Sequence, residues 1–274
     1  MNKKACIVLA DGQIFEGTGF GASGCITGEA VFTTGMTGYL ETLTDPSYYG
    51  QIVTQTFPLI GNYGVIPQDF ESAKSHVRGY IVRSLCETPS NFRCKETLDS
   101  FLKTNNIIGL MGIDTRRLTK ILRETGVMNA RIISGDSPEA AKEFAMLKNP
   151  QEKQKLLEQI KSYKITGAVK AVSGNAVGIE EPADAVFRTS AEYRAVPVTK
   201  DGLKVNNPEE AMKNGKGKKV VLWDFGAKAN IRRELLKRGV EVVTVKSGAT
   251  AEEILAMNPD GIMLSNGPGD PAEN

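Results

Sequence analysis

A regular alternation of strand and helix patterns near the end of the chain constrains the fold most. Apolar runs typical of buried strands alternate with amphipathic helical segments over residues 220–223, 227–238, 240–245, 250–257 and 261–264. Gly239 ends the first helical pattern, and Thr250 caps the second. Because crossover connections of this kind are right-handed, the segments predict a parallel sheet whose carboxyl edge carries the ligand-binding loops.

The first part of the chain predicts a separate domain of mixed β and α structure. Strand patterns cover residues 6–10, 14–20, 29–34, 51–55, 77–83 and 107–110. The dipeptide Asp11-Gly12 suits a tight hairpin between the first two strands. Asp114 and Gly126 bound a helix whose apolar face holds Leu118, Ile121 and Leu122.

The two predicted domains are joined by a segment without an evident fold of its own. Residues 137–163 are helical and charged, and residues 167–219 mix small, polar and helix-breaking side chains. A flexible linker fits the stretch Asn214-Gly215-Lys216-Gly217-Lys218-Lys219 better than a phosphate-binding loop does. We therefore predict an N-terminal domain over residues 1–150, a linker over 151–217 and a partial domain over 218–274.

Composition and charge argue against several classes of function. The 274 residues include 34 basic and 32 acidic side chains, a net charge of +2, which favours neither nucleic acid nor an anionic membrane as a partner. No apolar run approaches the ~18 residues that a membrane span needs, and the N-terminus lacks a signal-peptide core. We expect a soluble, cytoplasmic protein.

The cysteine and histidine content gives no metal centre. The four cysteines form no Cys-x-x-Cys pair, so we expect free thiols. The single histidine, His76, lies in a polar stretch, where we expect it at the surface. No metal site is therefore predicted.

One loop is suited to binding an anionic group. The sequence Ser265-Asn266-Gly267-Pro268-Gly269-Asp270-Pro271 follows the third strand of the alternation. Two glycines around a proline give a rigid loop whose backbone N–H groups can hold a carboxylate or a developing oxyanion. The spacing alone fits an ordinary turn equally well.

Longer blocks of sequence resemble a known family. Three blocks resemble the start of a class I glutamine amidotransferase domain. They are Leu222-Trp223-Asp224-Phe225-Gly226-Ala227-Lys228-Ala229-Asn230-Ile231, Asn258-Pro259-Asp260-Gly261 and the loop that starts at Ser265. Four earlier blocks resemble the small subunit of carbamoyl phosphate synthetase: Gly35-Met36-Thr37-Gly38-Tyr39, Thr44-Asp45-Pro46-Ser47-Tyr48, Gly61-Asn62-Tyr63-Gly64 and Ile113-Asp114-Thr115-Arg116. The resemblance implies an α/β protein in which a mixed β/α domain precedes the first half of an amidotransferase domain.

The same resemblance implies roles for particular residues. The family's small subunit hydrolyses glutamine and passes ammonia to a large subunit, which uses bicarbonate and ATP. Gly267 and Gly269 would bind L-glutamine, with the Gly267 N–H in the oxyanion hole, and Ser47 would reach the substrate from the first domain. A serine on an Asp-Pro turn is exposed and can donate and accept, although it is also an ordinary turn residue. No cofactor is expected in this subunit, whereas ATP and magnesium belong to the large one.

The catalytic residues implied by the resemblance are expected beyond Asn274. They are a nucleophilic cysteine with its histidine and glutamate, and neither His76 nor any of Cys6, Cys25, Cys86 and Cys94 matches them. A parallel sheet of this kind also needs about twice the residues that follow the linker. We therefore expect a chain truncated before the catalytic cysteine and inactive by itself.

Two other functions fit parts of the sequence. The chain can act as a non-catalytic module that docks on the large subunit. A dinucleotide-binding dehydrogenase would use the strand–helix unit after residue 220, but Phe225-Gly226-Ala227-Lys228-Ala229-Asn230 lacks the Gly-x-Gly-x-x-Gly pattern. Whether the product would serve arginine or pyrimidine synthesis stays open.

Overall fold

A computed structural model describes residues 3–174 and 217–270 of the chain. Contacts divide the protein into two compact units, Met1–Phe70 with Lys74–Ala168 and Glu71–Ala73 with Val169–Asn274. Residues 175–216, most of the predicted linker, lie outside the described residues, as does Pro271. Within the described ranges, no helix has the length and apolar character needed to cross a membrane.

The first unit is built on a closed sheet. Its strands are β1 (Lys3–Leu9), β2 (Ile14–Gly21), β3 (Gly24–Thr33), β4 (Gln51–Gln55), β5 (Leu59–Ile60), β6 (Gly79–Val82), β7 (Ser84–Leu85), β8 (Ile108–Met111) and β9 (Met128–Ser134). Seven of them pair in the order β1-β2-β8-β6-β4-β3-β9, and β9 also pairs with β1 to close the sheet. β5 and β7 form a separate parallel pair. The sequence predicts mixed β and α structure here, which is confirmed, but it does not predict the closure.

Local sequence explains how the sheet begins. β1 and β2 pair antiparallel across the turn at Asp11-Gly12, where Gly12 takes φ 91°. That left-handed backbone is strained for residues with a Cβ, so the glycine fits the predicted hairpin. The interior is apolar and includes Ile7, Leu9 and Ile132.

Helices surround the closed sheet of the first unit. They are α1 (Tyr39–Thr44), α2 (Leu98–Thr104), α3 (Thr115–Thr125), α4 (Pro138–Met146) and α5 (Pro150–Ser162). In α3, Asp114 accepts a hydrogen bond from the Arg117 N–H, and Leu118 and Leu122 are buried, as the sequence predicts. The predicted helical stretch after residue 137 is two helices, because Asn149 caps a new helix that starts at Pro150.

The predicted surface position of His76 is wrong. Its side chain is buried with 8% of its surface exposed, and its ring lies 6.3 Å from that of Tyr49. Burial lowers the pKa of His76 to about 4, and the neighbouring Lys74 acts in the same direction. The polar residues next to His76 in the sequence favour a surface position, but its burial is set by packing against distant segments of the same unit.

The second unit contains the predicted parallel sheet. Its strands are β10 (Lys219–Asp224), β11 (Glu241–Lys246) and β12 (Gly261–Leu264). Its helices are α6 (Ala168–Val172), whose first residue still counts with the first unit, α7 (Ala229–Lys237) and α8 (Ala251–Ala256). β10 lies between β11 and β12 and is parallel to both. Thr250 and Glu253 form a reciprocal capping box at the start of α8. The βαβαβ order read from the sequence is therefore confirmed for the described residues.

Candidate functional site

The loops after β10 and β12 lie at the same edge of the sheet. The two strands are parallel neighbours, with Trp223 opposite Leu264, so their carboxyl ends meet. Ligands of open α/β sheets bind at this edge. The loop predicted to bind an anionic group, which starts at Ser265, therefore stands beside the loop that follows Asp224.

Asp224 organises the loop after β10. Its side chain is fully buried, and its Oδ1 accepts hydrogen bonds from the N–H groups of Gly226 at 2.8 Å and Ala227 at 2.7 Å. Its Oδ2 accepts from the Gly174 N–H at 2.7 Å. Hydrogen bonds to an ionised acceptor are stronger than neutral ones, so this carboxylate fixes the loop firmly. Asp224 is not among the predicted site residues, although an aspartate between a buried strand and a glycine indicates such a turn.

Ser265 and Asn266 join the two loops. The Phe225 N–H donates to Ser265 Oγ at 2.9 Å. The Asn266 side chain bridges the other loop, since its Oδ1 accepts from the Lys228 N–H and its Nδ2 donates to the Gly226 carbonyl, both at 3.2 Å. The backbone position of the next residue, Gly267, is thus set by contacts on the side of β10.

Gly267 and Gly269 are both required by geometry, for different reasons. A Cβ on Gly267 would lie 2.5 Å from the carbonyl oxygen of Phe225, closer than real Cβ atoms approach backbone. Gly269 takes φ 81°, in the left-handed region that favours glycine. Gly267 is exposed, and within the described part of the chain its N–H has no acceptor. That donor is therefore available to a ligand, although its predicted role with glutamine stays a prediction.

A buried carboxylate lies at the start of α7. Glu71 is 4% exposed, and it belongs to the second unit although its sequence neighbours Phe70 and Lys74 belong to the first. Its carbonyl accepts from the Ala229 N–H at 2.8 Å, and its carboxylate accepts from the backbone N–H and the Nδ2 of Asn230. Nothing in the local sequence of Glu71 indicates this contact, so Glu71 is not among the predicted site residues.

In the first unit, Ser47 lies in the short helical turn Pro46–Tyr48. The Ser47 N–H donates to Asp45 Oδ1 at 2.9 Å, and Pro46 begins the turn, as expected for an Asp-Pro sequence. Ser47 is half-buried, so it is less exposed than the turn alone suggests. Its predicted contact with substrate stays a prediction.

Two of the sequence blocks in the first unit contact each other. The rings of Tyr39 and Tyr63 stack with centroids 4.1 Å apart, and the Tyr39 hydroxyl donates to the Gly64 carbonyl at 2.6 Å. The Tyr63 oxygen accepts from the N–H groups of Gly38 at 2.9 Å and Tyr39 at 3.2 Å, at the start of α1. Burial raises the pKa of Tyr63 to about 12, so this hydroxyl stays neutral. These contacts fix α1, which leads directly into the Ser47 turn.

The cysteines are free thiols, as predicted. Burial raises the pKa of both Cys6 and Cys25 to about 12, and at Cys25 the Glu143 carboxylate adds to the effect. The sulfur of Cys25 and the carboxylates of Glu139 and Glu143 have ligand atoms within 4.8 Å of one another. However, Glu143 is engaged by Arg131, whose Nε donates to it at 2.6 Å. A nucleophilic thiol needs a lowered pKa, so the environment of these two cysteines is the opposite of an activated one.

Comparisons with known families match both units. Residues 7–132 match the family described as carbamoyl-phosphate synthase small chain, CPSase domain. Residues 221–274 match the family described as glutamine amidotransferase class-I. The two matches follow one another in the order expected from the sequence blocks.

Curated relatives match along nearly the whole chain. Carbamoyl phosphate synthase small chains from Bacillus thuringiensis and Clostridium perfringens are 44% and 42% identical over 270 residues, or 98% of this chain. A pyrimidine-specific small chain of the same enzyme from Bacillus subtilis is 43% identical. The chain spans 61% to 64% of the length of these relatives. From these matches and the two family models, the chain is similar to carbamoyl phosphate synthase small chains over nearly its whole length.

Proposed function

We propose that this chain forms the glutamine-binding part of a glutaminase subunit that supplies ammonia for carbamoyl phosphate synthesis. Residues 218–274 would be the first half of a class I amidotransferase domain, in agreement with the matched family. The observation that carries the proposal is the exposed Gly267, whose N–H has no acceptor among the described residues, next to loop hydrogen bonds of Ser265 and Asn266 at the ligand-binding edge of a parallel sheet.

The chemistry of amide hydrolysis explains why such a donor is needed. When a thiolate adds to the carboxamide carbon of glutamine, the carbonyl oxygen takes up the negative charge. A fixed N–H group that donates to this oxygen stabilises the charge without reorganisation at the moment of reaction. Gly267 would supply this donor, and Gly269 would line the same site. The nucleophilic cysteine, its histidine and its glutamate would lie beyond Asn274.

Ser47 would provide a second contact to glutamine. The Asp45 side chain and Pro46 hold its backbone, and a hydroxyl can both donate to and accept from a polar substrate. Such a contact is made in the ground state as well as in the transition state. Its loss should therefore raise KM more than it lowers kcat.

The test uses a small chain that carries residues 1–274 and spans the full length of the relatives, assembled with a large subunit. Ser47→Ala should raise the KM for glutamine ~10-fold, the effect of one hydrogen bond worth ~1.5 kcal/mol. Ser162→Ala is the matched control, because the Ser162 hydroxyl contacts only the Gln159 carbonyl at an exposed helix end among the described residues. An unchanged KM in Ser47→Ala would contradict the role of Ser47, and no glutamate release by the unmodified subunit would contradict the proposed function.

The partner is a large synthetase subunit that binds ATP and magnesium, while this chain would need no cofactor.

A second candidate function, a binding module without activity of its own, is favoured by the raised pKa of Cys6 and Cys25. It would hold for residues 1–274 by themselves. Copurification of this chain with the large subunit, without glutamate release, would support it, and glutamate release by the chain alone would exclude it.

A further inference from the structure

The carboxylate of Glu71 is connected to Gly267 through a short series of hydrogen bonds. At the start of α7 it accepts from the Asn230 N–H at 3.0 Å and from Asn230 Nδ2 at 2.7 Å, while the Glu71 carbonyl holds the Ala229 N–H. Both residues follow Lys228, the N-cap of α7, whose own side chain makes no capping bond. Glu71 therefore takes the place of a capping side chain at the start of α7.

The next contacts carry this constraint to the ligand-binding edge. The Lys228 N–H donates to Asn266 Oδ1, and Asn266 Nδ2 donates to the Gly226 carbonyl. Asn266 directly precedes Gly267, whose backbone is packed against the Phe225 carbonyl so closely that no Cβ fits. A shift of the helix start would thus move Asn266 and re-aim the Gly267 N–H.

The burial of Glu71 makes this constraint strong. The side chain is 4% exposed, and two donors from Asn230 converge on its two oxygens. A carboxylate that accepts backbone N–H groups at a helix start is also favoured by the helix dipole. The contact is therefore well suited to fix the start of α7 rather than only to cover it.

We propose that Glu71 is a positioning residue for the Gly267 donor, acting through Asn230, Lys228 and Asn266. The inference rests on the proposed function, because it assigns Glu71 to the same oxyanion-stabilising loop. A donor needed most when charge develops contributes mainly to kcat, so displacement of the loop should lower kcat with little change in KM.

The kinetic test uses the full-length small chain assembled with its large subunit. Glu71→Gln keeps the shape of the side chain but turns one oxygen into a donor that faces the donors of Asn230. We expect kcat for glutamine hydrolysis to fall ~10-fold, with KM changed less than ~2-fold. Glu252→Gln, an exposed acid in the first turn of α8, is the matched control and should leave both constants unchanged.

A rescue variant separates positioning from general damage. In the double variant Glu71→Gln with Asn230→Asp, the carboxylate and the amide exchange places, so the side-chain hydrogen bond can form again. We expect kcat of the double variant to be at least ~3-fold higher than that of Glu71→Gln. Asn230→Asp alone places two carboxylates together, so its kcat should be lower than that of Glu71→Gln. An unchanged kcat in Glu71→Gln, a rise in KM at constant kcat, or no recovery in the double variant would overturn the proposal.

A second measurement does not depend on activity. In the full-length subunit, amide hydrogen exchange of Lys228 should be ~10-fold faster in Glu71→Gln than in the unmodified protein, because the helix start no longer holds that N–H against Asn266. Unchanged exchange at Lys228 would overturn the positioning role. If the unmodified subunit releases no glutamate, the proposed function fails, while the exchange result still decides whether Glu71 fixes the loop.

Discussion

The carbonyl oxygen of Phe225 lies 2.5 Å from the position that a Cβ on Gly267 would occupy. The two residues belong to different loops, after β10 and β12, and the Phe225 N–H is itself held by Ser265 at 2.9 Å. The close approach of these backbones therefore decides which residue can stand at position 267. It also fixes the direction of the N–H that we assign to the oxyanion hole.

Replacing Gly267 should slow catalysis strongly, with little effect on the parallel sheet. In Gly267→Ala the new methyl group must push the loop away from the Phe225 carbonyl, which displaces the donor, so kcat for glutamine should fall ~100-fold in the full-length subunit. Gly248→Ala is the control, because a Cβ at Gly248 meets no atom within 4 Å. Steady-state glutamate release measures both variants, and a kcat within twofold of the unmodified subunit in Gly267→Ala would contradict the assignment.

The buried carboxylate of Asp224 should contribute measurably to the stability of the second unit. In Asp224→Asn, an amide nitrogen replaces one of the oxygens that accept from the N–H groups of Gly226, Ala227 and Gly174. We expect the free energy of unfolding to fall by about 1–3 kcal/mol, the usual loss when a buried donor loses its acceptor. Urea unfolding of the 274-residue chain, followed by the fluorescence of its single tryptophan, measures the change. The exposed Asp136→Asn should change it by less than ~0.5 kcal/mol.

The fold could be predicted where local patterns decide it. The hairpin at Asp11-Gly12, the helix after Asp114 and the parallel order of β10, β11 and β12 all follow from short-range sequence features. The closure of the first sheet could not be predicted this way, because β9 pairs with both β1 and β3, strands that lie about a hundred residues or more before it in the sequence. Such pairing depends on the packing of the whole unit.

The site could be predicted only in part for the same reason. Gly267 and Gly269 stand in a motif that is visible in the sequence, and the structure supplies a geometric need for each glycine. Glu71 lies 159 residues before the Asn230 side chain that it contacts, and no local pattern links them. The buried position of His76 likewise depends on contacts outside its own polar stretch.

The thiol of Cys25 should react slowly in the folded protein. Burial, together with Glu143, raises its pKa to about 12, so very little thiolate exists near neutral pH. We expect alkylation by iodoacetamide at about pH 8 to be at least ~100-fold slower in the folded chain than in concentrated urea, measured by mass spectrometry of the peptide that contains Cys25. Glu143→Gln leaves the Arg131 guanidinium beside the thiol, so it should speed the reaction. Glu152→Gln on α5, which lacks the contact with the thiol, should leave the rate unchanged. Equal rates in the folded and unfolded chain would contradict the raised pKa of Cys25.

In the folded protein, the imidazole of His76 should stay neutral until the pH falls well below 6.5, its ordinary pKa. Desolvation by burial and the charge of Lys74 lower its pKa from 6.5 to about 4, while Asp45 opposes the shift. Between pH 6.5 and 4 the unfolded chain therefore binds a proton that the folded chain does not, so this group makes stability fall as the pH falls through that window. Above pH 6.5 neither state is protonated at His76, and below pH 4 both are, so the contribution is constant outside it.

The chain has one histidine, so its imidazole can be followed by NMR without ambiguity. We expect the imidazole shifts of the folded protein to titrate with a midpoint near pH 4. In His76→Gln, the urea midpoint should depend less steeply on pH between 6.5 and 4 than in the unmodified chain, because one of the groups that bind protons on unfolding is gone. Carboxylates titrate in the same range, and comparing the two slopes cancels their shared effect. A titration midpoint near 6.5 in the folded chain, with equal slopes in both proteins, would show that His76 is open to solvent.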